Sequence, residues 1–108
     1  MPTSLTLDTA RCNDGNVVLV AAGEIDLSNI DAFDQALSAA TTDATNSGGR
    51  FTVDLSAVEY LDSAAINALF ARADHIHVIA HPLLMSILRM SGLTELVPID
   101  VAPQTAEL

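Results

Sequence analysis

The sequence predicts an α/β fold, in which a small mixed, mainly parallel β-sheet has helices packed on one face, in the order β-β-α-β-α-β-α. Strand-like segments alternate with amphipathic helical segments, which favours parallel strands joined by right-handed helical crossovers. A strong turn signal near the N-terminus joins the first two strands as a hairpin. With 108 residues, residues 1–108 are expected to form a single domain, with its core at about 3–101 and a mobile tail at 102–108.

The N-terminal hairpin is predicted from two apolar segments and the turn between them. Residues Leu5–Asp8 alternate apolar and polar, which indicates a half-buried strand that runs to about Cys12. The turn signal is Asn13–Asn16. The continuous apolar run Val17–Ala22 predicts a fully buried second strand.

The first helix is predicted to follow a loop at Gly23–Leu27. Ser28 is a suitable N-cap, and Asp31 follows it three residues later as in a capping box. Apolar residues then recur at helical spacing, and the helix is expected to end in the polar stretch Thr41–Gly49. The apolar positions are Ile30, Phe33, Leu37 and Ala40.

A strand at Phe51–Leu55 is predicted by clean alternation of apolar and polar residues. Ser56–Leu61 is expected to connect it to a second helix that begins at about Ser63. This helix is short, because the chain runs from Phe70 almost directly into the next strand-like segment.

The C-terminal segments predict one strand, one helix and an edge strand. Ile76–Ala80 is a short strand, and Pro82 suits the first turn of a helix that ends at Gly92. A last strand is predicted at Leu96–Val101, and Pro98 restricts it to the edge of the sheet. An exposed edge strand would allow a weak homodimer.

The charge of the chain and its single cysteine limit the classes of function and the cellular locations that we expect. Fourteen acidic residues face four arginines, and the formal net charge is −10. This charge would repel nucleic-acid phosphates and anionic lipid headgroups, so we expect neither direct nucleic-acid binding nor membrane insertion, and a basic protein surface as partner. Cys12 alone cannot form an internal disulfide, and Met1–Ser4 lacks the pattern of a signal peptide, so we expect a cytoplasmic location.

The segment Asp54–Ile66 carries the first candidate site, because a strand ends and a helix begins at Asp62–Ser63. The first backbone N–H groups of a helix have no internal partners, so a phosphate esterified to the Ser63 hydroxyl would lie where those donors point. The alternative is that Ser63 or Asp62 only caps the helix, and residue spacing alone favours this alternative.

Acidic residues form a second candidate site. Glu24 and Asp26 follow a buried strand, so with Asp62 they could converge near Ser63 at the carboxyl edge of the sheet. Such a cluster could help to deprotonate a hydroxyl or bind a cation. The alternative is a solvated acidic rim, which spacing alone favours.

Three histidines form a third candidate. On a strand, His75, His77 and His81 share one face, and two such imidazoles can reach one metal ion. The alternative, a half-exposed strand face with His81 in the loop before Pro82, is favoured because no cysteine or acidic cluster joins them. We therefore expect no metal, no cofactor and no enzymatic activity.

Three motifs in order make the chain resemble the STAS family, specifically the anti-sigma factor antagonists, over about residues 3–101. Gly23–Asp26 matches the G-E-[IL]-D motif of the family, and Asp54–Ser63 matches D-L-S-x-V-x-x-[LIM]-D-S. Ser91–Leu93 matches the closing S-G-L.

The resemblance implies a regulatory switch in transcription. In the family, an anti-sigma factor that is a serine kinase phosphorylates the serine that corresponds to Ser63, and a phosphatase reverses the modification. The unphosphorylated form binds the kinase and releases a sigma factor. The resemblance implies that the partner-binding residues are Glu24, Asp26, Asp62, Ser63, Ala64 and Ala65.

Two departures from the family pattern favour a second function. Ala64–Ile66 stands where the family usually has Ser or Thr, then Gly, then Leu, and the second helix is shorter by roughly two turns. The alternative function is a STAS subunit that is not phosphorylated and docks on the ATPase of a membrane lipid-transport system.

Overall fold

The computed structural model describes residues 4–11 and 15–102. Within these ranges, five strands form one sheet in the order β1-β2-β3-β4-β5. The strands are β1 (Leu5–Arg11), β2 (Val17–Ile25), β3 (Phe51–Leu61), β4 (Ile76–Ala80) and β5 (Ile99–Val101). Only β1 and β2 are antiparallel, so the predicted mixed, mainly parallel α/β fold is confirmed.

The helices follow the strands in the predicted order. They are α1 (Ile30–Ser47), α2 (Ser63–Phe70), α3 (Met85–Ser91) and α4 (Leu93–Leu96), with 3₁₀ turns at Ala73–His75 and Pro82–Leu84. The predicted short second helix is present, since α2 has eight residues. No helix in the described part of the chain is both long and apolar enough to cross a bilayer.

The helices cover one face of the sheet, and this corrects the prediction that β2 is fully buried. Val17, Leu19 and Ala21 are buried on the helical side, whereas Val20 on the other side is 36% exposed. The apolar run reflects the central position of β2 between β1 and β3, and the open face explains why alternate residues still contact solvent.

Strands β2 and β3 are both longer than predicted. Gly23–Ile25 was expected in a loop and Ser56–Leu61 in a connection, yet these segments pair with each other, with Glu24 beside Tyr60. The register shifts along this pairing, which is an irregularity that alternation of residue types does not reveal. The loop therefore begins at Asp26 rather than at Gly23.

Helix α1 begins one residue later than predicted and ends within the predicted stretch. Its N-cap position is Asn29, not Ser28. The helix continues through most of the polar stretch 41–49 to Ser47, because Ala40 and Ala44 extend the buried stripe by one more turn.

The C-terminal region differs from prediction in its boundaries. The 3₁₀ turn begins at Pro82, and the edge strand begins at Ile99, three residues after the predicted start. Ala102 was placed in the mobile tail, but it is buried and its N–H donates to Ala80 O at 2.8 Å. The remainder of the predicted tail, together with Cys12 and the first part of the turn Asn13–Asn16, lies outside the described residues.

The start of β3 is held by a close backbone approach. A Cβ atom added to Gly49 would lie 1.9 Å from the Gly15 carbonyl oxygen, whereas a Cβ atom on the neighbouring Gly48 would contact nothing within 4 Å. Gly48 has a positive φ of 74°, which other residues adopt at a cost.

We expect Gly49→Ala to destabilise the protein more than Gly48→Ala, although only Gly48 has left-handed backbone. Gly48→Ala should lower the free energy of unfolding by about 1 kcal/mol. Gly49→Ala should lower it by about 3 kcal/mol or more, because backbone has to move. Urea denaturation of both variants measures the difference, and equal values would contradict the close approach.

Candidate functional site

The carboxyl ends of β2, β3 and β4 lie at one edge of the sheet, which we call the carboxyl edge. Asp26 follows β2, Asp62 follows β3 and His81 follows β4. Ligands and partners of open α/β sheets meet this edge, and Asp62 and Ser63 of the predicted site lie there.

The carboxylate of Asp62 joins two segments at this edge. Its Oδ1 accepts hydrogen bonds from the N–H groups of Ala64 (2.9 Å) and Ala65 (3.2 Å), so it caps α2. Its Oδ2 accepts a hydrogen bond from Leu27 N–H at 3.0 Å, across 35 residues of sequence. One side chain therefore ties the start of α2 to the loop that follows β2.

Ser63 is the first residue of α2 and is exposed. Within the described residues its hydroxyl makes no hydrogen bond, because Asp62 rather than Ser63 caps the helix. A phosphate on Ser63 was predicted to meet unpaired N–H groups at the start of the helix. This prediction is wrong for two of these groups, because the N–H groups of Ala64 and Ala65 already donate to Asp62. Ser63 is therefore accessible, and no residue in the described part of the chain is held by its hydroxyl.

The loop after β2 is held by two polar side chains. Asp26 Oδ1 accepts hydrogen bonds from the N–H (2.9 Å) and hydroxyl (2.6 Å) of Ser28. Asn29 Nδ2 donates to Glu24 O at 2.9 Å, and Asn29 Oδ1 accepts from Asp26 N–H at 3.0 Å. Sequence reasoning missed Asn29, although Asn before an amphipathic helix is a known signal for such a cap position.

The predicted acidic cluster does not act as a unit. Glu24 is exposed on the open face of the sheet beside Tyr60, while Asp26 and Asp62 bind backbone N–H groups. In the described part of the chain, no group of three or more His, Cys, Asp or Glu residues could hold a metal ion. Asp26 and Asp62 therefore stabilise the conformation of the loop after β2.

The two alanines after Ser63 differ in accessibility. Ala64 is half-buried, whereas Ala65 is 0% exposed and packs in the core with Ile66 and Leu69. The prediction that Ala65 contacts a partner is therefore wrong for its side chain. Its methyl group serves the packing of α2 on the sheet instead.

The three histidines are separated in their interactions. His77 Nε2 lies 2.8 Å from Asp100 Oδ2 on the neighbouring edge strand. His81 lies beyond β4, where its Nδ1 accepts a hydrogen bond from Leu83 N–H at 3.0 Å. His75 is exposed in a 3₁₀ turn before β4. Of the three, only His77 lies in a strand, and the expected position of His81 in the loop before Pro82 is confirmed.

Two leucines at the carboxyl edge are exposed to solvent. Leu27, whose N–H binds Asp62, is 75% exposed, and Leu83 in the turn after β4 is 70% exposed. Strand β3 and Ser63 lie between them in the sheet order. We call these two residues the apolar rim, because they follow the two strands that neighbour β3, the strand that leads to Ser63.

The chain is similar to proteins of known family and structure. The family model described as "Mlab, STAS domain" matches residues 9–98. An anti-sigma factor antagonist from Mycobacterium paratuberculosis has 28% sequence identity and a TM-score of 0.79, over 94% of this chain and 88% of that chain. No curated protein matches the sequence significantly.

Two further structures are similar in fold. The unphosphorylated form of the anti-sigma factor antagonist SpoIIAA has 14% identity and a TM-score of 0.68, over 92% of this chain and 90% of that chain. The phosphorylated form of the Bacillus cell fate determinant SpoIIAA has 14% identity and a TM-score of 0.64, over 92% and 93%.

We expect Asp62→Ala to lower the free energy of unfolding by about 1–2 kcal/mol, because α2 loses its cap. Asp62→Ser should restore most of this stability, because serine is also a good cap. In both variants hydrogen exchange at the Leu27 amide should accelerate, since neither side chain can hold it. Urea denaturation and amide exchange measured by NMR test this, with Glu59→Ala as the control. An unchanged exchange rate of the Leu27 amide in both variants would contradict the hydrogen bond between Leu27 N–H and Asp62.

Proposed function

The chain belongs to the STAS domain family, and from this premise we propose that it is an anti-sigma factor antagonist whose binding to an anti-sigma factor is controlled by phosphorylation of Ser63. The observation that supports the proposal most directly is the Ser63 hydroxyl, which is exposed and free of hydrogen bonds to described residues. A kinase can reach such a hydroxyl without unfolding the domain.

The proposed modification is a phosphoryl transfer from ATP. The Ser63 oxygen forms a bond to the γ-phosphorus, the bond from that phosphorus to the bridging oxygen breaks, and ADP leaves. The serine proton passes to a base of the anti-sigma factor, which is a serine kinase in this proposal. A phosphatase then hydrolyses the phosphoserine and returns the domain to its binding form.

Electrostatics explain how one phosphate would prevent binding. A phosphoserine adds about −1.5 to −2 charges, next to Asp62 in a chain of net charge −10. The N–H groups of Ala64 and Ala65 already bind Asp62, so they are not available to neutralise the phosphate. The added charge would have to be desolvated wherever a partner covers this edge.

The apolar rim supports the location of the docking surface. Leu27 and Leu83 expose apolar area in the segments that follow β2 and β4, the two neighbours of β3, and covering such side chains favours association. An unmodified Ser63 is small and neutral. Partner binding and phosphate acceptance would therefore use the same edge, and the modification would change binding without changing the fold.

A second candidate function is favoured by specific features of α2. The helix has only eight residues, and Ala64 and Ala65 follow Ser63. The description of the matching family model names Mlab and does not name an anti-sigma factor antagonist. These features support a STAS subunit that docks on the ATPase of a membrane lipid-transport system and is not phosphorylated.

Phosphorylation is expected on Ser63 alone. The purified protein, incubated with ATP and each serine-kinase anti-sigma factor of the source organism in turn, should gain one phosphoryl group by intact mass measurement. Ser63→Ala should gain none, whereas Ser86→Ala, which removes another exposed serine, should behave like wild type. Phosphate on Ser63→Ala, or none on wild type with every kinase that binds it, would reject the proposed control.

Ser63→Glu is expected to weaken binding to the anti-sigma factor by about tenfold or more, a cost of about 1.4 kcal/mol. Thr42→Glu adds the same charge at an exposed position of α1, in the half of the helix that leads away from the carboxyl edge, and should change affinity little. Both variants should keep the wild-type free energy of unfolding within about 0.5 kcal/mol. Calorimetric titration gives the affinities. Equal binding by Ser63→Glu and wild type, with co-purification of a transporter ATPase, would select the second function instead.

A further inference from the structure

An open cavity of about 550 Å³ lies at the edge of the sheet opposite Ser63, where β3 and β4 begin. Residues from the start of both strands, from the turn before β4 and from the segment before β5 line it. They are Gly49, Arg50, Phe51, Ala73, Asp74, His75, Ile76, His77, Leu96 and Pro98. The volume is in the range of sites that hold small molecules.

The charge of this cavity differs from that of the rest of the protein. Arg11 pairs with Asp43 at 3.0 Å and Arg72 pairs with Asp34 at 2.9 Å. Arg50, in contrast, lines the cavity and forms no ion pair with any residue that the structure describes. No described carboxylate therefore neutralises the guanidinium of Arg50, which offers a planar fork that suits a carboxylate. Arg89 on α3 also forms no ion pair with the described residues, but it does not line the cavity.

The backbone that carries Arg50 is fixed on both sides. Arg50 N–H donates to Asn16 Oδ1 at 2.7 Å, and Arg50 O accepts from Val17 N–H at 2.8 Å. The adjacent Gly49 packs against Gly15 so closely that a side chain has no room. Rigid support of this kind lowers the entropic cost of holding a ligand.

The imidazoles of the cavity add polar contacts. The imidazole of His77 is oriented by its contact with Asp100, and the backbone N–H of His75 donates to Arg72 O at 3.0 Å, which holds the turn that carries His75. Their ring nitrogens can donate or accept hydrogen bonds. Asp74 is the one carboxylate residue among the lining residues, and its charge disfavours an anion with two negative charges.

The remaining lining of the cavity is apolar. Phe51 and Ile76 are buried at its base, and Pro98 lies beside them. Leu96 is 59% exposed, although it lines the same cavity. The hydrocarbon part of a small ligand, with a few carbon atoms, would cover this leucine and pack against Phe51 and Ile76.

We propose that this cavity binds a small organic monoanion, with a carboxylate held by Arg50 and a short apolar body between Ile76, Leu96 and Pro98. The site lies at the opposite edge of the sheet from Ser63 and shares no residue with the docking surface. Its occupancy is therefore independent of the proposed phosphorylation.

The test uses octanoate as the probe and calorimetric titration of the intact chain at low salt. Wild type should bind one octanoate in a saturable manner. Octanamide has the same hydrocarbon chain and no charge. Its affinity should be lower than that of octanoate by about tenfold or more, because the charged hydrogen bonds are lost. Inorganic phosphate, which has no apolar body, should show no saturable binding.

Arginine variants locate the site. Arg50→Gln should weaken octanoate binding by about tenfold. The octanoate affinity of Arg50→Lys should lie between those of wild type and Arg50→Gln, since lysine keeps the charge but loses the planar fork. Arg89→Gln, which removes an exposed arginine on α3, and Ser63→Ala should both bind as wild type does.

Several results would overturn the proposal. They are the absence of saturable octanoate binding, equal affinity for octanamide or phosphate, and unchanged affinity in Arg50→Gln. Urea denaturation of Arg50→Gln shows whether the variant is folded. If it is not, the amide shifts of Phe51, Ile76 and His77 in the NMR spectrum of wild type should respond to octanoate, and unchanged shifts would equally reject the site.

Discussion

The carboxylate of Asp62 is the constraint on which the arrangement of the carboxyl edge depends. It accepts three backbone hydrogen bonds, two from the start of α2 and one from Leu27. A carboxylate is suited to this, because its two oxygens can accept from different directions. Because Asp62 caps the helix, the Ser63 hydroxyl holds no residue that the structure describes. A chemical change at Ser63 can therefore alter a surface and leave the core unchanged.

The two ends of the parallel strands have opposite chemical character. The carboxyl edge combines acidic side chains with the exposed Leu27 and Leu83, which suits a surface that another protein covers. The opposite edge places Arg50 beside a cavity with an apolar base. Because the sheet separates them, a modification at one edge and a ligand at the other could occur without steric conflict.

Much of the architecture could be predicted from periodicity, and the limits have physical causes. Strand β4 was predicted with correct ends, and its buried residues Ile76, Val78 and Ala80 alternate with the half-buried His77 and Ile79. The ends of β2 and β3 were missed, because Glu24 and Tyr60 are in strands only through their pairing with each other. The end of helix α1 was predicted only as lying within the polar stretch 41–49, since the buried contact of Ala44, with which the helix continues to Ser47, is not apparent in the polar sequence around it.

The sequence by itself determined the α/β order, the aliphatic core, the strong negative charge and the Asp62–Ser63 junction, because local spacing and composition carry these properties. Only the tertiary structure decided which of the two residues caps α2, that Ala65 is buried, and that Arg50 lacks an ion-pair partner within the described residues. Each of these depends on contacts between segments far apart in sequence, such as the 35 residues that separate Leu27 from Asp62. Local pattern has no information about such contacts, whereas the packing of the sheet and helices specifies them.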